Sequence, residues 1–317
     1  MVRPEDGRDR GQLLVIIALV LGMVFVALAI VVNAAIFTEN LATRETVDSE
    51  RAASFTGDVE RAIEVRYNQT NSNGSHTASD ARETFNDTFR TWTDQRSNVS
   101  ATEGGYYGAN WTTHVGWRLD QSTDDSFAPA DDRAATDWTL ATDAEDIAAF
   151  ELEVTKDDLN DSADAAFSVV VKDDSDTWEL FVYRTGGNVV VTNDTSTSEC
   201  ITGSSRAKID VRAGEFDGDP CDELNLPSAL NGNLQVKFQD VHNSSGGEHV
   251  NGTYTVVVNG SGAVEKTNSE PDRFNRSGEA PPTAAAVVYA VNYTTTYERA
   301  DVEHHRDGRY APRAELY

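Results

Sequence analysis

Residues 13–32 read LLVIIALVLGMVFVALAIVV, and no charged residue falls between Gln12 and Thr38. At about 1.5 Å per helical residue, such a run spans about 30 Å, the thickness of a bilayer's hydrocarbon core. Val32-Asn33-Ala34 would pass as a small-residue cleavage site. A secretory signal, however, carries a shorter apolar region of roughly 7–15 residues. The stretch therefore reads as a retained transmembrane helix over 12–38, and no second run of this kind follows. Arg3, Arg8 and Arg10 precede it, while Arg44 and Arg51 follow more thinly. Counting Lys and Arg alone, the amino end stays cytoplasmic and residues 39–317 are expected outside the cell membrane.

Working outward, the charge divides at the same place. The 317 residues carry 53 acids against 26 bases, a net charge of −27. Within 1–38 the three Arg balance Glu5, Asp6 and Asp9, so the whole excess belongs to the region beyond the span. Such a surface repels itself in dilute buffer, but in molar salt the screening length falls to about 3 Å. Only five of the bases are Lys. Acid excess with so little Lys reads as adaptation to brine, as in a halophilic archaeon. It excludes a general nucleic-acid binder, which needs a concentrated positive surface. It also disfavours adhesion to an anionic lipid surface.

Asn-X-Ser/Thr acceptors agree with an exterior location. They occur at Asn68, Asn73, Asn86, Asn98, Asn110, Asn160, Asn193, Asn243, Asn251, Asn259, Asn275 and Asn292, all after the span. That is 12 of 20 Asn, where chance predicts about three or four. The reading is a glycoprotein. Cys200 and Cys221 are the only cysteines, and an exterior compartment permits a disulfide between them.

Residues 39–67 hold no Pro, and Leu41, Ala52, Phe55, Val59, Ala62 and Ile63 recur at three- and four-residue steps. An amphipathic helix is expected to continue the span until the polar cluster 68–75. A second helix is expected from Ser79 to about Ser100, with Phe85, Phe89 and Trp92 on one face against the first helix. Together, 39–104 read as a helical stalk that folds back on itself.

From 105 to 317 the rhythm becomes period two. Strands are expected over 111–119, 150–155, 167–172, 178–184, 189–192, 208–212, 234–239, 254–258 and 285–297. In the last of these, Tyr289, Val291, Tyr293 and Tyr297 are expected on an apolar face, with Asn292 on the wet one. Many short strands without intervening helices indicate an antiparallel β-sandwich. The fold class is α+β: a 1–11 leader, the span, the helical stalk and one β-rich ectodomain.

Little in the chain points to chemistry. The six His show no HExxH or similar spacing, and no GxSxG, P-loop or GxGxxG occurs. His242 and His249 flank a loop, a weak transition-metal pattern. Asp217, Asp219, Asp222 and Glu223 offer hard oxygen ligands for calcium, but without EF-hand spacing. Acids this abundant also cluster simply as solvated surface. No catalytic residues, no enzymatic activity and no cofactor are expected.

The amino terminus carries the most specific pattern, Arg10-Gly11-Gln12 directly before the apolar run. It resembles the class III signal peptide of archaeal type IV pilins and archaellins. The resemblance implies a prepilin-type peptidase cutting after Gly11, leaving Gln12 as the new amino terminus. It also implies that the apolar helix anchors the subunit in the bilayer and then packs against like subunits in a surface filament. The function expected is a non-enzymatic pilin-like structural or adhesion protein. The alternative is an uncleaved, single-span anchored glycoprotein serving as a binding or envelope protein.

Overall fold

The computed structural model describes residues 6–102, 104–194, 198–230, 232–242, 249–260, 264, 273–276, 278–299 and 302–311. Helix α1 runs unbroken over Asp6–Asn73. A left-handed turn at Gly74 (φ 61°) reverses the chain into α2, Ala78–Thr102. Thr77 caps α2, its hydroxyl accepting the Asp80 N–H at 3.1 Å.

Among the described residues fifteen strands follow: β1 Tyr106–Ser126, β2 Trp138–Ala144, β3 Asp146–Thr155, β4 Phe167–Lys172, β5 Thr177–Thr185, β6 Asn188–Asn193, β7 Cys200–Thr202, β8 Arg206–Asp210, β9 Glu215–Phe216, β10 Asp219–Pro220, β11 Leu234–Gln239, β12 Asn251–Asn259, β13 Asn275–Arg276, β14 Thr283–Arg299 and β15 Val302–Tyr310. One sheet has the order β10-β9-β8-β3-β12-β1-β14-β13, with β15 also on β14. The other has the order β2-β11-β4-β5-β6-β7. Every pairing is antiparallel except β13 with β14. The chain is thus α+β, with sandwich-like sheets.

The long strands β1 and β14 carry two cores. Toward one end, Trp117 and Leu119 join Phe127, Phe150, Phe167, Trp178 and Phe238 between the two sheets. Phe127 is the hub, with Phe167, Phe238 and Tyr254 rings within 5.5 Å of its own. Toward the other end, Tyr107, Val291, Tyr293 and Tyr297 meet Phe55, Val59, Ile63 and Tyr67 of α1 and Phe85 and Phe89 of α2. The helices lie on the sheet where the second sheet is absent. The expected stalk is therefore a layer of the same packed unit, and α2's aromatic stripe meets β1 as well as α1: Phe89 stands edge-on to Trp111 at 4.8 Å.

Three expectations are corrected. Helix α1 does not end at Asn68; Tyr67, Thr70 and Asn71 are buried, so the polar tail of the helix is held by tertiary contacts. Tyr289 does not share a face with Val291 and Tyr293. The register slips where His114 faces Ala290 and Val115 faces Val288, and this bulge sends Tyr289 into a separate cluster with Ala149, Val257 and Val287. Strands β2 and β15 were not anticipated. The latter reads VEHHRDGRY, the charged signature of a sheet edge rather than of a half-buried strand.

Candidate functional site

The most exposed apolar surface among the described residues is the first part of α1. Over Leu13–Glu39 nothing among the described residues covers the helix. Its large apolar side chains expose from 48% (Val32) to 69% (Val15 and Phe37) of their surface. Burying a single such side chain is worth about 1.5–3 kcal/mol, so a surface of this extent demands an apolar environment outside the fold. Among the described residues one helix, near the N-terminus, is long and apolar enough to cross a membrane. Gly22 has no atom near the place a Cβ would occupy, leaving a flat spot on the helix.

Among the described residues of α1, the buried apolar ones are Ala52, Phe55, Val59, Ala62, Ile63 and Tyr67, the three- and four-residue spacing of one helix face. Polar contacts fix the angle of this part of α1 on the sheet. The buried Tyr293 phenol donates to Glu60 at 2.7 Å, and Arg306 of β15 reaches the same carboxylate at 3.6 Å. Burial and the Glu60 bond push the Tyr293 phenol well above its ordinary range. Gly308 lies opposite Tyr293, and a Cβ there would stand 2.3 Å from the ring. Thr56 meets Thr295 at 3.4 Å.

The free edge of β14 is closed piece by piece. Strand β13 pairs with Thr283 and Ala284, and β15 pairs from Val291 to Arg299. In the gap, Ser75 exchanges two backbone hydrogen bonds with Ala286, at 3.1 and 2.8 Å. Beside it, the Asn71 side chain takes the place of a neighbouring strand: Nδ2 donates to the Val288 carbonyl at 2.9 Å, and Oδ1 accepts the Val288 N–H at 2.8 Å. An open edge invites pairing with other chains, and here the helix terminus fills it. A polar helix end was visible in the sequence; its use as a strand surrogate was not.

The residues singled out in the sequence are dispersed. Arg10, Gly11 and Gln12 lie in the first turns of α1; their side chains, like residues 1–5, are outside the described set. Cys200 and Cys221 form a disulfide, joining edge strand β7 of one sheet to the segment after β10 at the edge of the other. The calcium candidates do not converge. Asp217 has φ 53° and accepts the Thr202 hydroxyl at 2.6 Å and the Lys208 N–H at 2.8 Å. Burial raises its pKa, but these bonds and one from Ser204 outweigh it and hold the carboxyl below its usual value. Asp219 and Asp222 are exposed, whereas Glu223 is buried. Among the described residues no group of three or more His, Cys, Asp or Glu is arranged around a common point. His242 and His249 do meet, with ring centroids 3.7 Å apart on an isolated bridge.

The acceptor asparagines fall into distinct environments. Asn98, Asn110 and Asn292 are exposed. Asn160 is buried and donates to the Ala165 carbonyl. Asn193, Asn251, Asn259 and Asn275 commit their amide nitrogens to Glu223, Asp158, Glu145 and Ala280 oxygens, respectively. The Asn86 carbonyl oxygen accepts from Trp111 at 2.8 Å and Thr113 at 2.7 Å. Asn68 is half-buried in α1. Asn243 and the side chain of Asn73 lie outside the described residues.

Residues 7–132 match a protein family described as a family of unknown function (DUF7261). The match takes in α1 from its second residue, all of α2 and all of β1. No curated protein and no solved structure matches the chain.

Proposed function

We propose that the protein is a non-enzymatic, pilin-like surface subunit whose apolar helix serves first as a membrane anchor and then as an assembly element. One observation carries the reading. A single unbroken helix is bare and apolar over Leu13–Glu39 and becomes the packed spine of the globular part from Ala52 onward. A helix continuous across both regions moves as one rod with the β-rich head, so lateral packing of helices from many copies sets the spacing of the heads. A smooth aliphatic surface interrupted by Gly22, Ala27 and Ala29 suits exchange of lipid for neighbouring helices, because small residues allow close approach. On this reading the partners are the lipid bilayer, a prepilin-type peptidase acting at Arg10-Gly11-Gln12, and like or related subunits. The β-rich head lies on the outer side of the cell membrane and supplies adhesion or contact.

The test is a Gly11→Leu variant expressed in a native membrane. This variant is expected to accumulate as a membrane-bound precursor larger than the wild-type product by the mass of the leader. Wild-type protein that retains residues 1–11, and so differs from the variant only by the Gly11→Leu substitution, would leave a permanently anchored envelope protein with no part for the peptidase.

A further inference from the structure

An Asn-X-Ser/Thr acceptor needs its amide and its hydroxyl within reach of the same reagent. Secondary structure decides whether a folded chain can offer both. In a strand, residues i and i+2 point to one face; in a helix they point to different sides. The helical acceptors here divide accordingly: Asn98 is exposed while its hydroxyl partner Ser100 is buried, and Thr70, the partner of Asn68, is buried.

The strand acceptors on β1 and β14 behave differently. Asn110 faces Thr294, and Thr112 faces Asn292, in one antiparallel register. Two acceptor triplets, Asn110-Trp-Thr112 and Asn292-Tyr-Thr294, therefore lie side by side in opposite directions, each Asn opposite the other's Thr. The four side chains share the sheet face turned away from α1 and α2, because the alternate residues Trp111 and Tyr293 pack against the helical core. They line a shallow groove closed on one side by Asp307 and Gly308 of β15. Asn110 and Asn292 are exposed, and the Asn292 amide meets the His114 ring at 3.0 Å. Diagonal positions of this kind lie about 7–8 Å apart.

We infer that this paired patch is the N-glycan attachment site of the folded head. The reagent is a sugar activated as a lipid-linked phosphate. The Asn nitrogen forms a bond to the anomeric carbon, the carbon–oxygen bond to the phosphate breaks, the lipid phosphate leaves with the electron pair, and the amide proton is released. The inference shares with the proposed function only the exterior placement of the head and does not require leader cleavage or filaments. A failure here is thus separable from a failure at Gly11.

The test is glycopeptide mass mapping of full-length protein purified from native membranes, with Thr112→Val and Thr294→Val variants alongside. Expected is glycan on Asn110, on Asn292 or on both, with Asn68, Asn86 and Asn160 bare. Each Val variant should lose the glycan of its own triplet while keeping the wild-type near-UV circular dichroism. Bare Asn110 and Asn292, glycan on Asn160 or Asn86, or undiminished glycan in both Val variants would each overturn the assignment.

Discussion

Asn71 gives the sharpest energetic prediction. Its amide satisfies both polar groups of Val288 at a site where the two residues are 3% and 0% exposed. Asn71→Ala removes both partners at once and leaves a buried N–H and a buried C=O without a strand to bond. Each abandoned group costs about 1–3 kcal/mol, so the expected loss is about 2–6 kcal/mol. Asn71→Asp keeps the acceptor for the N–H but turns a carboxylate toward the Val288 carbonyl, and it should cost at least as much. The assay is urea denaturation of the full chain in detergent and high salt, followed by tryptophan fluorescence. The exposed Asn98→Ala, expected within about 0.5 kcal/mol of wild type, serves as control. Hydrogen exchange should also quicken at Val288 before the rest of β14. An Asn71→Ala loss no greater than that of the control would refute the strand-surrogate role.

Further predictions follow from the same geometry. Gly308→Ala forces the Tyr293 ring off the β15 backbone and disturbs its bond to Glu60; a loss of about 1–3 kcal/mol is expected by the same denaturation. Reduction of Cys200–Cys221, which closes a loop of sequence separation 21, should cost about 3 kcal/mol in the chain-entropy view, seen as a lower melting temperature in reductant. Burial, followed by the nearby His242 and Arg133, lowers the His249 pKa below 6.5, with Asp125 opposing. The unfolded chain then takes up that proton first, so this contribution stands above pH 6.5 and is lost as pH falls below it. Melting temperature should drop on acidification through that value, and less so in His249→Gln.

Much of the architecture was legible because the relevant signals are local. The three- and four-residue spacing from Ala52 and the alternation in β11 each report burial on one face, the aliphatic run reports a helix apolar all round, and the helices and strands follow. What stayed hidden depends on distant partners. Strand β15 is polar because, among the described residues, only one edge and one face of it are covered, so its pattern resembles a loop. The bulge beside Tyr289 is invisible in β14 alone, since it arises from the register with β1. The polar end of α1 resembles a linker until Val288 is placed next to it. The acceptor triplets were plain in sequence, but only pairing across β1 and β14 separates the patch at Asn110 and Asn292 from the buried Asn160.

The central claim, that the bare helix becomes the amino-terminal assembly element of a surface subunit, is tested most directly by the intact mass of the protein from its native membrane. A chain beginning at Gln12 is expected. A chain beginning at Met1, or one cut near Ala35 with the apolar helix removed, would contradict it.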